Sequence, residues 1–316
     1  MLTRGVSTLL AAVLAGGPVA GPPAGQYTMT DLGTLGGPGA TAAYAMNDAG
    51  VVVGISDTGA APHAFRWRDG VMTDLGTLPG GTRSAAYGIN GSGVIAGTAY
   101  RPTGEPRAVI WRAGQIRDLG LPDSHGLAIN DSGQVLALTT GRDGVTRRVL
   151  WQTGQVTPVG PENDHQATEG DLNNQASVTM RFRDRPGGPW VAGSQRYGSA
   201  RGYGPAGTAT DINNHDVMVG SAPDRHGRVR PVHYDGGHGD LGTLGGPNGA
   251  ATVINDRGVI AGYADTAAGI SRPVLWADGR IIDLTRRGVT GIDAIIDLNR
   301  PGQMIASAGY RAVFIS

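Results

Sequence analysis

An asparagine recurs along this chain at Asn47, Asn90, Asn130, Asn173, Asn213, Asn255 and Asn299, at steps of 43, 40, 43, 40, 42 and 44 residues. The surroundings recur with it: "AMNDAGVVVG", "GINGSGVIAG", "AINDSGQVLA" and "VINDRGVIAG" are four of the seven copies. A period near 42 constrains the fold more than composition does. Each unit must be one supersecondary element that buries its apolar face against the next.

Each full unit reads as four short strands. The first precedes the asparagine, as in Ala43–Met46. The "NDxG" that follows is a turn, since Asn and Asp bond their own backbone and glycine supplies positive φ. The second strand is "VVVGIS" (51–56) or "VIAGYA" (259–264), and the third is "HAFRW" (63–67), "RAVIW" (107–111) or "RPVLW" (272–276). A tight turn leads to the fourth, as in "VMTDLGTL" (71–78). Runs this short, β-branched and bounded by Gly, Asp and Asn are strands, and no helix is expected after the leader.

Four antiparallel strands in about 40–45 residues make a propeller blade. A stacked solenoid is the competing architecture, and the chain ends separate the two. The last unit stops at "RAVFIS", with three strands and no "DLGTL", whereas "YTMTDLGTL" stands alone at 27–35. A ring explains both, with the N-terminal strand completing the last blade and removing the open edges. The expected fold is therefore all-β, a seven-bladed β-propeller over 27–316, with a closing strand at 27–36. Its blades fall near 40–80, 83–121, 123–160, 165–204, 207–244, 249–285 and 291–316. The fourth blade is expected to lack the usual third strand.

"HAFRW", "DLGTLGG" and the "INDxGxVxG" turn together resemble the extracellular HAF-repeat family of bacterial proteins. The resemblance spans nearly all of 27–316; it is specific in units 1, 2 and 6 and weak in unit 4. It implies a secreted repeat module of propeller fold and brings no catalytic residues with it.

The 54 glycines of 316 residues are turns rather than disorder, because they follow the period. Lys plus Arg equals Asp plus Glu, so no basic face draws nucleic acid or an anionic membrane. The absence of cysteine removes disulfides, thiol nucleophiles and Cys–zinc sites. Residues 1–26 combine Arg4, an apolar stretch from Val6 to Leu14 too short to span a bilayer, and small residues with cleavage expected after Ala15 or Ala20. That is the pattern of a secretory signal peptide, and the mature chain is expected to be extracellular, soluble and monomeric.

Comparing the units with one another separates structural from functional candidates. The asparagines, the cation slot (His63, Arg107, Arg147, Arg230, Arg272, Arg311) and the aromatic slot (Trp67, Trp111, Trp151, Tyr234, Trp276) recur. They are assigned to turns, ion pairs with the "DLG" aspartate or an adjacent turn, and inter-blade core. Asp171, Asp211 and Asp297 share the position two before the asparagine and read as a structural variant. The first-strand stretches of units 1, 2 and 6 are bland. Units 3 and 4 are not: Asp123, His125, His165 and Glu169 stand there without counterparts. Imidazoles and carboxylates at a channel mouth suit acid–base chemistry or metal binding. Unit 4 also gains Arg181, Arg183, Trp190, Arg196, Tyr197 and Tyr203, a mixture that can hold a carboxylate, a sugar or an aromatic ligand. His215, His226, His233 and His238 of unit 5 match no metal-ligand spacing. No cofactor is implied.

The expected function is a secreted binding or scaffold module for a small molecule, glycan or peptide at the channel mouth or blade loops. The alternatives are a lyase, hydrolase or cyclase using His125, His165 and Glu169, and a purely structural surface repeat. Deleting residues 27–35 is expected to unfold the protein, read by circular dichroism and thermal melting. A truncation as stable as the parent contradicts the ring argument.

Overall fold

The computed structural model describes residues 25–160, 171–183, 190–196 and 199–316. The expected signal peptide falls almost entirely outside them, as do His165, Glu169 and Tyr197. The described chain forms seven antiparallel sheets, six of four strands and one of three. Sheet 1 shows the pattern. Thr41–Met46, Val52–Asp57, Pro62–Arg68 and Val71–Asp74 pair in chain order, each with the next. Sheets 2, 3, 5 and 6 repeat it, with first strands Ser124–Ile129 in sheet 3 and Thr208–Ile212 in sheet 5. The only helical element among the described residues is a 3₁₀ turn, Leu284–Arg287.

Sheet 7 draws on both chain ends. Met29–Asp31 pairs with Arg311–Ile315, which pairs with Met304–Ala308 and then Ala294–Leu298. Met29 lies opposite Ile315 and Asp31 opposite Val313. Asp31 also accepts from Arg311 at 3.1 Å. The same slot-to-slot pairing joins His63 to Asp74 (2.8 Å), Arg107 to Asp118 (3.3 Å), Arg230 to Asp240 (2.9 Å) and Arg272 to Asp283 (2.7 Å). Arg147 pairs with Asp143 of its own adjacent turn at 2.6 Å. The N-terminal strand thus holds the position that fourth strands hold elsewhere.

Each unit's core is shared between two sheets. Val53 and Ala64 of sheet 1, with Leu78 from the segment that follows its last strand, cluster with Ala86, Val109 and Trp111 of sheet 2. Sheets 7 and 1 share a cluster too, where Leu32, Ile305 and Phe314 meet Val52, Phe65 and Trp67; the Trp67 and Phe314 rings are 5.2 Å apart. Trp67, Trp111, Trp151, Tyr234 and Trp276 are all buried, so the aromatic slot is core.

The turn after each first strand is built by the asparagine side chain. In sheet 6 the Asn255 carbonyl oxygen accepts from the N–H groups of Arg257 and Val259, both at 3.0 Å. Its amide donates to the backbone carbonyl of Asn299 in sheet 7 at 2.9 Å. Only a side chain with both an acceptor and a donor at this length can do all three. The turn closes on a residue of positive φ, Gly258 here at 74°. Ala176 and Asp216 take that conformation in sheets 4 and 5, at 60° each. These two departures from the glycine pattern carry local strain.

Two expectations need correction. The "DLGTL" segment is not a continuous strand. The fourth strand of sheet 1 ends at Asp74, whose carboxylate accepts from the Gly76 N–H at 2.7 Å. Gly76 has φ 71°, so the aspartate turns the chain toward the next sheet. Sheet 4 does not lack its third strand. Val178–Arg183, Trp190–Arg196 and Ser199–Ala206 pair in order and fill the second, third and fourth places. The first strand is the reduced one, represented among the described residues by a bridge from Leu172 to Val178.

Asn255→Ala leaves three backbone groups without their partner. It is expected to cost about 2–4 kcal/mol at about 1 kcal/mol or more per buried bond, lowering the melting temperature by several degrees. Asn255→Asp keeps the acceptor, loses the donor and buries a charge, and is expected to be no better. A calorimetric melt unchanged by either substitution contradicts this role.

Candidate functional site

The first strands are brought together by side-chain bonds that pass from one sheet to the next. Asn47 donates to the carbonyl of Asn90 at 3.1 Å, Asn90 to Asn130 at 3.1 Å, and Asn130 to Asn173 at 3.1 Å. Asn173 donates to Asn213 at 2.9 Å, Asn213 to Asn255 at 3.3 Å, and Asn255 to Asn299 at 2.9 Å. The seventh bond returns from Asn299 to the carbonyl of Asn47 at 3.3 Å. A second set runs one residue further on, where a side chain of one sheet accepts from the backbone N–H of its neighbour. Asp131 accepts from Gly91, Asn174 from Asp131, Asn214 from Asn174, Asp256 from Asn214, and Asp48 from Arg300. Gly91 has no side chain to continue this set and Arg300 has no acceptor. Arg300 instead reaches Asp256 at 3.1 Å.

Behind the asparagines stands the aspartate slot. Asp211 accepts from its neighbour Ile212 (2.6 Å) and from Ile254 of sheet 6 (2.6 Å). Asp297 accepts from Leu298 (2.7 Å) and from Met46 of sheet 1 (2.7 Å). These carboxylates tie first strand to first strand, as a structural variant of the repeat should. They also carry charge where water is scarce. Each is half-buried, open enough for a proton to exchange and too enclosed for full hydration. Burial pushes Asp297 up to about 7, with the N–H groups of Met46 and Leu298 opposing and the charges of Asp171 and Asp48 adding to the rise. Asp211 is raised well above the usual carboxylate range, first by burial and then by its hydrogen bond with, and repulsion from, Asp171. Asp171, Asp211 and Asp297 thus lie within electrostatic reach of one another, although they come from sheets 4, 5 and 7.

Of the residues singled out from the sequence, His125 lies on the first strand of sheet 3, half-buried, with Nδ1 3.4 Å from the Thr98 hydroxyl of sheet 2. Burial lowers its pKa, and nearby Asp123 partly offsets this, so the ring is neutral at neutral pH. Asp123 has φ 35° and its carbonyl accepts from Thr140. Arg196 is exposed and contacts Gln175 at 3.2 Å and Asp216 at 3.8 Å, on the turn side of sheets 4 and 5. It does not stand with His125. Arg181, Arg183, Trp190 and Tyr203 lie in strands of sheet 4, but their side chains, like the whole of His165, Glu169 and Tyr197, lie outside the described residues. Among the described residues, no three His or acidic side chains are grouped to hold a metal ion.

Sequence reasoning passed over Tyr44 and Tyr87, in stretches it classed as bland. They occupy equivalent places on the first strands of sheets 1 and 2, with rings 5.0 Å apart and tilted by 32°. The signal that could have found them is the repeat comparison itself, since the other described units carry Leu127, Thr210, Thr252 and Ile296 there.

With this geometry in hand, solved structures give the architecture. The β-propeller domain of the Trilobed protease from Pyrococcus furiosus, described as having an open velcro topology, is similar over 87% of this chain and 95% of its own, at TM-score 0.58 and 12% identity. An acylaminoacyl peptidase from Pyrococcus horikoshii matches 84% of this chain and 49% of its own, at TM-score 0.55 and 12% identity. A puromycin-hydrolysing peptidase from Mycobacterium tuberculosis matches 78% and 45%, at TM-score 0.50 and 16% identity. The fold is that of a β-propeller. The chain spans about half the length of the two peptidases. No protein-family model matches it, so the resemblance to the HAF-repeat family rests on the motifs alone. No curated protein matches it in sequence. No helix among the described residues is long and apolar enough to cross a membrane.

The raised Asp297 sets a sign for pH dependence. A carboxyl whose folded pKa exceeds its unfolded value near 4 stabilises the fold most below that value, and the contribution is lost as pH rises toward 7. Asp297→Asn removes this dependence. Its melting temperature is expected to fall less than the parent's between about pH 4 and pH 7. Parallel profiles contradict the assignment.

Proposed function

We propose that this protein is a secreted ligand-binding propeller of the HAF-repeat type, and that it takes a small molecule, glycan or peptide at the mouth of its central channel. On this reading its seven blades form a ring closed by the N-terminal strand, and it works as a monomer outside the cell. One observation carries the binding assignment. Side chains that repeat from blade to blade are consumed by turns, ion pairs and core, whereas His125, present in one unit, and Tyr44 and Tyr87, present in two, stand on first strands. Rigid scaffolds place binding groups on such inner elements and on the loops that enter them. The shared fold with peptidase propeller domains agrees with a binding or scaffold role and does not name the ligand.

A second reading is an enzyme, a hydrolase, lyase or cyclase. It rests on His125, whose half-buried, neutral imidazole is suited to accept a proton. Its proposed partners His165 and Glu169 fall outside the described residues, which leaves this reading second.

The test is a thermal-shift screen against monosaccharides, disaccharides and short peptides, with His125→Ala and the exposed Tyr310→Ala as the paired variants. Binding at the mouth predicts a stabilising ligand whose shift falls in His125→Ala and persists in Tyr310→Ala. A ligand whose shift survives His125→Ala and every other first-strand substitution contradicts this location. Hydrolysis of nitrophenyl glycosides or esters, lost in His125→Ala, would favour the enzyme.

A further inference from the structure

The slot three residues before the asparagine is a β-bulge. Pairing skips it between Ala43 and Ala45, Ala86 and Gly88, Gly126 and Ala128, Ala209 and Asp211, Ala251 and Val253, and Ile295 and Asp297. A bulge leaves its extra residue outside the ladder and re-aims the side chain. In sheets 5 and 6 that residue is a threonine absorbed by the backbone. Thr210 donates to the carbonyls of Val219 (3.1 Å) or Ala251 (3.0 Å), and Thr252 to Ala261 (3.2 Å). In sheets 1 and 2 it is Tyr44 and Tyr87, which no such bond explains.

Nor does the core explain them. The flanking Ala43, Met46, Ala86 and Ile89 all belong to core clusters, and the two tyrosines belong to none. Tyr44 is 39% exposed, although it stands on the strand that the asparagine bonds tie to its neighbours. The aromatic surface continues beyond the pair. The Arg83 guanidinium lies 5.5 Å over the Tyr100 ring, and the Tyr87 phenol, whose pKa is raised first by burial, feels the charges of Tyr44 and Tyr100, which raise it further, and of Arg83, which lowers it. Arg83 immediately precedes the first strand of sheet 2 and is exposed. The array therefore runs from the middle of a first strand to the edge where that strand begins. On the other flank, Asp297 accepts from Met46, two residues along the strand from Tyr44.

Charge selects among the ligands an aromatic wall can take. A cation would be drawn to tyrosine faces, but Arg83 already occupies that position on Tyr100 and repels a second positive charge. An anion would be drawn to Arg83 but opposed by the Asp297 carboxyl at the other flank, which gains charge as pH rises through about 7. A neutral ring with an apolar face and several hydroxyls meets neither obstacle. Its C–H face lies on the tyrosines, and its hydroxyls bond to carboxyl, guanidinium and phenol groups.

We infer that Tyr44 and Tyr87, with Arg83 and Tyr100 at the rim and Asp297 alongside, form a binding site for an uncharged hexopyranose unit of a glycan. This rests on the proposed role as a channel-mouth binding module and narrows it to one ligand class and one wall. Tyr44 and Tyr87 supply the stacking surface; the polar groups fix the orientation of the sugar.

The experiment is titration followed by NMR, using the full chain and the methyl glycosides of glucose, galactose, mannose and fucose. Benzoate and tetramethylammonium serve as charged probes. The expected result is binding of at least one glycoside, with upfield ring-current shifts of its C–H protons. Tyr44→Ala should weaken binding about threefold to tenfold, Tyr44→Phe should leave it nearly unchanged because the ring face is kept, and Tyr310→Ala should have no effect. Tyr87→Leu provides a second loss of stacking should Tyr44→Ala fold poorly. Glycoside binding indifferent to both tyrosine substitutions overturns this site while leaving the binding-module reading standing. Binding of benzoate or tetramethylammonium in place of every glycoside overturns the ligand class. No binding of any probe overturns the inference.

Discussion

Seven asparagine amides hold this molecule together. Each accepts from its own turn and donates to the carbonyl of the next asparagine, and the last donates to the first. The physical requirement is strict. A first strand is enclosed by its neighbours, so the polar groups at its end must find partners within the protein. An amide side chain satisfies the turn with its oxygen and the neighbouring sheet with its nitrogen. The identity of the residue and its spacing follow from that double duty, and so does the period of the sequence.

Other features depend on the same constraint. Because the turns are joined side to side, each sheet packs on two others, and the Trp slot fills the gap between them. The cation slot fastens the third strand to the "DLG" turn that leads to the next sheet. At the seam between chain ends the same two slots are filled by Arg311 and Asp31, and Phe314 packs on Trp67. Three first strands carry an aspartate behind the asparagine, and those of sheets 5 and 7 satisfy N–H groups of the following sheet. That leaves charge in a poorly hydrated space, and the raised affinity of Asp211 and Asp297 for protons is the consequence.

The repeat makes the architecture readable in the sequence. Asn47 to Asn299, the His63–Arg311 slot and the Trp67–Trp276 slot were placed by recurrence alone. The same comparison shows that a slot exists without showing where its side chain points. Tyr44 and Tyr87 looked bland beside Ala42 and Ala85 because a bulge is invisible in a string of letters. The "DLGTL" segment looked like strand because it is apolar, although Asp74 turns the chain through a local bond to Gly76. Sheet 4 misled for a related reason. Its sequence departs so far from the others that Trp190–Arg196 could not be recognised as the third strand. Of the acid–base pair proposed with His125, neither member falls among the described residues. The site therefore rests on what the first strands present.

The central claim is that asparagine bonds and the shared seam make seven sheets one cooperative body rather than a row of separable repeats. Differential scanning calorimetry tests it most directly, through the ratio of calorimetric to van't Hoff enthalpy. The account predicts a single transition with a ratio near one. A ratio well above one, with sheets melting in steps as in an open repeat array, would contradict it.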